Sequence, residues 1–150
     1  MPSECMIRIG SSTDSLVDHP IEASWILQGK PRARIELLSR SADGTASTYF
    51  WDCTAGRFRW FYSYDETVHI LEGEVTLMDS AGHARRVSAG DTIFFPAGSS
   101  VEWKVDQYVR KLAFCRIPVP RYLAWARAMV RRVRRVMRGE SEQETGSALL

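Results

Sequence analysis

Between residues 32 and 117 the chain is punctuated at intervals of roughly 8–12 residues by turn formers, and the runs between them are rich in Val, Ile, Thr and aromatics. Nine runs read as strands: 33–39, 46–53, 57–62, 66–71, 74–78, 84–87, 92–95, 101–105 and 109–117. The breaks include Asp43-Gly44, Ala55-Gly56, Glu72-Gly73, 79–82, Gly90-Asp91 and 96–98, where Gly and Asx accept backbone angles that other residues resist. An all-β fold follows. Nine short strands suit a closed or two-sheet barrel, which removes exposed edges.

At 150 residues there is room for one ordinary domain. With 45% hydrophobic and 25% charged residues, the composition excludes wholesale disorder. No apolar run reaches the ~18 residues of a membrane span, and residues 1–10 lack the apolar stretch of a secretory signal. The expected setting is cytoplasmic. Cys5, Cys53 and Cys115 form no C-x-x-C pair and read as reduced thiols. The predicted organisation is an N-terminal arm over 1–24, a barrel over 25–117, a basic amphipathic helix over 118–139 and a polar tail over 140–150.

Alternation along a strand sends successive side chains to opposite faces. It puts Phe58, Trp60 and Tyr62 inward and Arg57, Arg59 and Phe61 outward. Glu66 falls with Val68 and Ile70, a carboxylate on an apolar face, and Trp103 points inward between Val101 and Val105.

Two stretches carry a recognisable spacing. Residues 56–73 hold Gly56, Tyr62, Glu66 and Gly73, with E-x6-G at the end, and residues 90–98 hold Gly90, Pro96 and Gly98 as G-x5-P-x-G. This resembles the two motifs of the cupin superfamily. The resemblance implies a double-sheet, jelly-roll-like β-barrel. A closer likeness, through Trp51-x-Cys53, Asp65-Glu66, Ile70-Leu71-x-Gly73, Trp103-x-Val105 and Val109-Arg110-Lys111, is to the branch with (S)-ureidoglycine aminohydrolase cupin domains and uncharacterised bacterial cupins.

The resemblance further implies a metal held by two histidines and a carboxylate from the first motif and a histidine from the second. Those histidine positions fall here on Trp60, Tyr62 and Val101, leaving Glu66. No tightly held metal or other cofactor is therefore expected. A metal enzyme with an irregular ligand set, or of the ureidoglycine aminohydrolase type, stands as an alternative. His19, His69 and His83 read as surface or packing residues.

The leading expectation is a homodimeric small-molecule-binding cupin in which Glu66 and Tyr62 act as acid–base partners on a nitrogen-containing or carbonyl metabolite. Desolvation raises a carboxyl's pKa toward the useful range. Phe58, Trp60, Trp103 and Lys111 line the expected pocket, with Lys104, Arg110 or Lys111 adding charge at its mouth. For Glu66 the alternative is a purely structural acid, and for Trp60 and Trp103 it is simple filling of the interior.

Seven arginines and no acid lie between 121 and 138; taking that +7 from the net +2 leaves −5 for the rest. Tyr122, Ala126, Met129, Val133 and Val136 recur at helical spacing opposite the arginines. The expectation is docking of the apolar stripe on the barrel or on a second subunit, with contact of Arg127 to Arg138 with an anionic membrane surface or RNA the lesser alternative. No base-reading nucleic-acid motif is present. A non-catalytic scaffold acting through this helix is the runner-up function.

Overall fold

The computed structural model describes residues 15–137, as two units divided at Pro118 and Val119. Most of the expected arm and the whole polar tail lie outside the described residues. The first unit contains β1 (Val17–Asp18), β2 (Ile26–Gly29), β3 (Ala33–Arg40), β4 (Ala46–Phe61), β5 (Asp65–Met78), β6 (Ala84–Ser88), β7 (Thr92–Phe95) and β8 (Ser100–Arg116). The second contains α1 (Arg121–Met137). All pairings are antiparallel.

β4, β5 and β8 are long strands that each serve two layers. Their outer-numbered halves build one layer in the order β1-β3-β4-β8-β5-β7, with Trp51 opposite Lys111 and Lys111 opposite Ile70. The remaining halves build a second layer, β2-β4-β8-β5-β6, with Phe58 opposite Trp103 and Trp103 opposite Leu77. The double-sheet barrel is thus made by bending three strands.

Three expected strand breaks are corrected here. Ala55-Gly56 and Glu72-Gly73 do not turn the chain, and the gap before 109 is not a loop; the register shifts instead between Thr54 and Gly56, between Ile70 and Glu72, and between Gly73 and Thr76. An irregularity of this kind bends a strand without ending it. Gly73 shows why glycine stands at the bend. Its φ is +75°, and a Cβ there would lie 2.0 Å from the Tyr108 carbonyl oxygen. At Gly56 a Cβ would meet the Pro31 ring at 2.7–2.8 Å. Asp43-Gly44, 79–82, Gly90-Asp91 and 96–98 are turns, as their composition predicts.

The segment before 33 also supplies strands that alternation did not reveal: Val17 pairs with Ile35, and Ile26 with Phe58. Ile21 is buried against the core. Between the layers lie Cys53, Phe58, Val68, Ile70, Val75, Trp103, Val105 and Val109, all essentially without solvent contact. Burying such a side chain contributes about 1.5–3 kcal/mol. The inward faces are those that alternation assigns.

Candidate functional site

Glu66 sits on β5 opposite Cys115 of β8 and Phe95 of β7, facing inward. Lys111 sits on β8 between Trp51 and Ile70, and faces inward too. Both are buried, and Lys111 Nζ donates to Glu66 Oε1 at 2.7 Å. An ammonium this far from water needs partners on every side. Glu66 supplies one, and indole faces supply others, with Nζ 4.8 Å from the Trp103 ring centroid, 4.9 Å from Trp51 and 5.9 Å from Trp60.

The pair opens onto a cavity of about 440 Å³ whose wall includes Trp51, Trp60, Tyr62, Glu66, Lys111 and Cys115. At its outer part Trp25 meets Trp60 edge-on at 5.4 Å and Phe61 at 5.3 Å, and His19 reaches the lining. Trp51 Nε1 is buried without a hydrogen-bond partner among the described residues.

The expected site residues come together only in part. Glu66, Tyr62, Trp60 and Lys111 share the cavity wall. Phe58 and Trp103 lie deeper, in the packed core, although Trp103 still carries Lys111 on its face. Tyr62 makes no hydrogen bond to Glu66 among the described residues. Its hydroxyl accepts from Trp103 Nε1 at 3.0 Å, and its ring stacks on Phe95 with centroids 4.4 Å apart. Burial, followed by the nearby Glu66 charge, holds the Tyr62 phenol well above its ordinary pKa, so it stays protonated.

Lys104 and Arg110 do not reach the mouth. Lys104 is exposed beside Asp106, and Arg110 lies over Phe50 on the outer face. Lys111, expected as a pocket residue, lies inside rather than at the mouth, and its pairing with Glu66 is what sequence reasoning missed. The signal was available, because counting by twos from Val109 sends Lys111 inward with Ala113 and Cys115. Trp25, Trp51 and Tyr49 were missed as wall residues.

Cys115 and Cys53 do not supply nucleophiles. Burial first, then the nearby Glu66 carboxylate for Cys115 and Asp52 for Cys53, pushes each thiol up to about 12. His69 bonds Thr92 outside the barrel and His83 lies beside Asp79 in a hairpin. Among the described residues no group of three or more His, Cys, Asp or Glu is placed to hold a metal ion. With indole, phenol and isopropyl groups at Trp60, Tyr62 and Val101, and the carboxylate already joined to an ammonium, the donor set does not fit a divalent first-row metal.

The family model for the EutQ-like cupin domain matches residues 40–113, which take in β4, β5, most of β8 and the Glu66–Lys111 pair. The chain belongs to the cupin superfamily. Among solved structures, a protein of unknown function of the DUF861 family from Pseudomonas syringae is 26% identical with a TM-score of 0.62, over 67% of this chain and 43% of that one. An ethanolamine utilization protein Q from Salmonella typhimurium is 26% identical with a TM-score of 0.53, over 69% of this chain and 94% of that one. The curated acetate kinase EutQ of Salmonella typhimurium is 37% identical over 90 residues, 60% of this chain and 35% of that protein. The cupin described here therefore spans about a third of the length of that curated relative.

Proposed function

We propose that this cupin binds a small, uncharged polar metabolite in its cavity, with the Glu66–Lys111 pair holding the polar end. The observation that carries this reading is the 2.7 Å ion pair in the wall of a largely aromatic chamber. The two charges cancel, so a lone anion would meet Glu66 and a lone cation would meet Lys111. A carboxamide, a ureido group or a protonated carboxylic acid offers an acceptor to the ammonium beside a donor to the carboxylate. The Trp25–Trp60 edge suits a planar or apolar remainder.

Any reaction on such a ligand would use Glu66 to take and return a proton while Lys111 stabilises negative charge growing on a carbonyl oxygen. Tyr62, held protonated, accepts from Trp103 Nε1 and offers its own O–H as a donor rather than acting as a base. The Salmonella relative is named an acetate kinase. A site for phosphoryl transfer gathers several cationic groups around its phosphates. The single ammonium here is already paired, which favours binding of a neutral ligand over that activity. A homodimer and a cytoplasmic setting belong to the same reading; the first is supported by the outer row Thr48-Phe114-Thr67-Phe94, whose two phenylalanines stand in solvent.

Thermal shift measurements with small amides, ureido compounds and carboxylic acids, against amines and phosphates, test the proposal. Neutral donor–acceptor compounds should raise Tm. Each variant is measured against its own ligand-free Tm, and Glu66→Gln should lose the shift. Equal shifts in the wild type and in Glu66→Gln would remove the pair from ligand recognition.

A further inference from the structure

The second unit holds a two-faced helix. α1 is 17 residues long, about 25 Å at 1.5 Å per residue. At 100° per residue its apolar side chains form one continuous stripe, running from Trp125 through Val136, Met129, Val133, Ala126, Met137 and Val130 to Leu123. All of these are exposed, Trp125 at 66% and Met137 at 82%. The opposite face is arginine. Arg132 borders the stripe beside Trp125, Arg134 borders it beside Leu123, and Arg131 and Arg135 fill the arc between. No Asp or Glu occurs anywhere from 121 to 138.

We propose that α1 lies in the surface of an anionic lipid bilayer, its stripe among the acyl chains and its arginines on the headgroup phosphates. The arrangement of charge selects this occupant. Pairing α1 with a second copy of itself along the stripe, in either direction, would set Arg132 and Arg134 against further arginines, with no acid to relieve them. A nucleic acid would engage the arginine arc and leave the apolar side chains, Trp125 included, in water. A lipid surface satisfies both faces at once, because arginines on the two borders extend their heads to the phosphates while their stems cover the stripe's edges. The helix is not apolar enough to cross; no described helix is.

Co-sedimentation of the full chain with phosphatidylcholine vesicles, with and without phosphatidylglycerol, tests this at low and high salt. The full chain should pellet with the anionic vesicles, not with phosphatidylcholine alone, and release should increase with salt. Replacing Arg131, Arg134 and Arg135 together by Gln should weaken binding about a hundredfold, from roughly 1 kcal/mol per arginine near the surface. Val133→Asp should weaken it as well. An unchanged barrel unfolding midpoint in both variants shows that the first unit is intact.

Failure of the full chain to pellet overturns the proposal, as does equal binding to neutral vesicles. Val133→Asp binding as well as wild type would reduce α1 to a general polyanion binder, with tighter association to single-stranded RNA than to vesicles as its signature. A dimer that Val133→Asp dissociates, without any vesicle binding, would assign the stripe to a second copy instead.

Discussion

Asp52 and Glu66 are both carboxylates almost sealed from solvent, yet they are sealed in opposite ways. Asp52 stands on the outer face of the β3–β4–β8 layer. It accepts from Arg34 Nε at 3.1 Å and from the Tyr108 hydroxyl at 3.0 Å, under a guanidinium that remains 42% exposed. Glu102 is closed in the same manner by Arg57 and Arg59. Glu66 points between the layers and is closed by a lysine that is itself buried. An arginine lid keeps part of its fork in water while binding a carboxylate from above, so the outer acids are fastened to the surface. The inner pair has no contact with bulk water beyond the cavity and presents both charges to whatever enters. The same ion-pair chemistry is structural outside and accessible to a ligand inside.

The largest effect that would break this comparison is expected at Lys111. Lys111→Met leaves Glu66 buried and uncompensated and should cost about 3–5 kcal/mol in urea unfolding at neutral pH, whereas adding Glu66→Leu should recover most of it. A single variant as stable as the wild type would mean that Glu66 reaches water. Asp52→Asn comes next. Arg34 keeps its access to solvent, so the loss should be about 1.5–3 kcal/mol. The same substitution should lower the Tyr108 phenol from its value of about 12, though not fully to 10, because burial is the first cause of its rise and the Asp52 hydrogen bond the second. An ultraviolet titration of the phenols reads this directly.

The smallest effect appears only in alkali. Cys53 and Cys115 hold their protons to about 12 in the folded protein against an ordinary 9.0. Below pH 9 the folded and unfolded chains both carry those protons and stability gains no slope from them. Between pH 9 and 12 the unfolded chain releases protons that the folded chain keeps, so stability falls as pH rises. Slow alkylation of both thiols at pH 8, accelerated by urea, would accompany that slope. Fast alkylation in the native state would show that the inner face is wetter than the outer one.

Much of the interior was readable residue by residue. Alternation put Phe58, Tyr62, Val68, Ile70 and Trp103 inside, and each is there. The strand count failed at Gly56 and Gly73 because glycine serves both turns and bends, and its local preference is the same in each. Which one forms depends on a segment distant in the chain: Tyr108 of β8 at Gly73, and Pro31 between β2 and β3 at Gly56. The Glu66–Lys111 pair was half legible. Each residue falls on an inward face by its own count, but they are 45 residues apart and no local pattern says that the two faces meet.

By itself the sequence determined the all-β barrel, its inward faces, the loss of imidazoles at the motif positions and the two-faced character of the basic helix. These follow from spacing along one strand or one helix turn, which short-range geometry dictates. Only the tertiary structure decided that three strands bend through both layers, that Tyr62 serves Trp103, and that a lysine's charge stands against Glu66. Those depend on register between strands far apart in the chain, and a buried charge takes as its partner whichever group the register brings within reach.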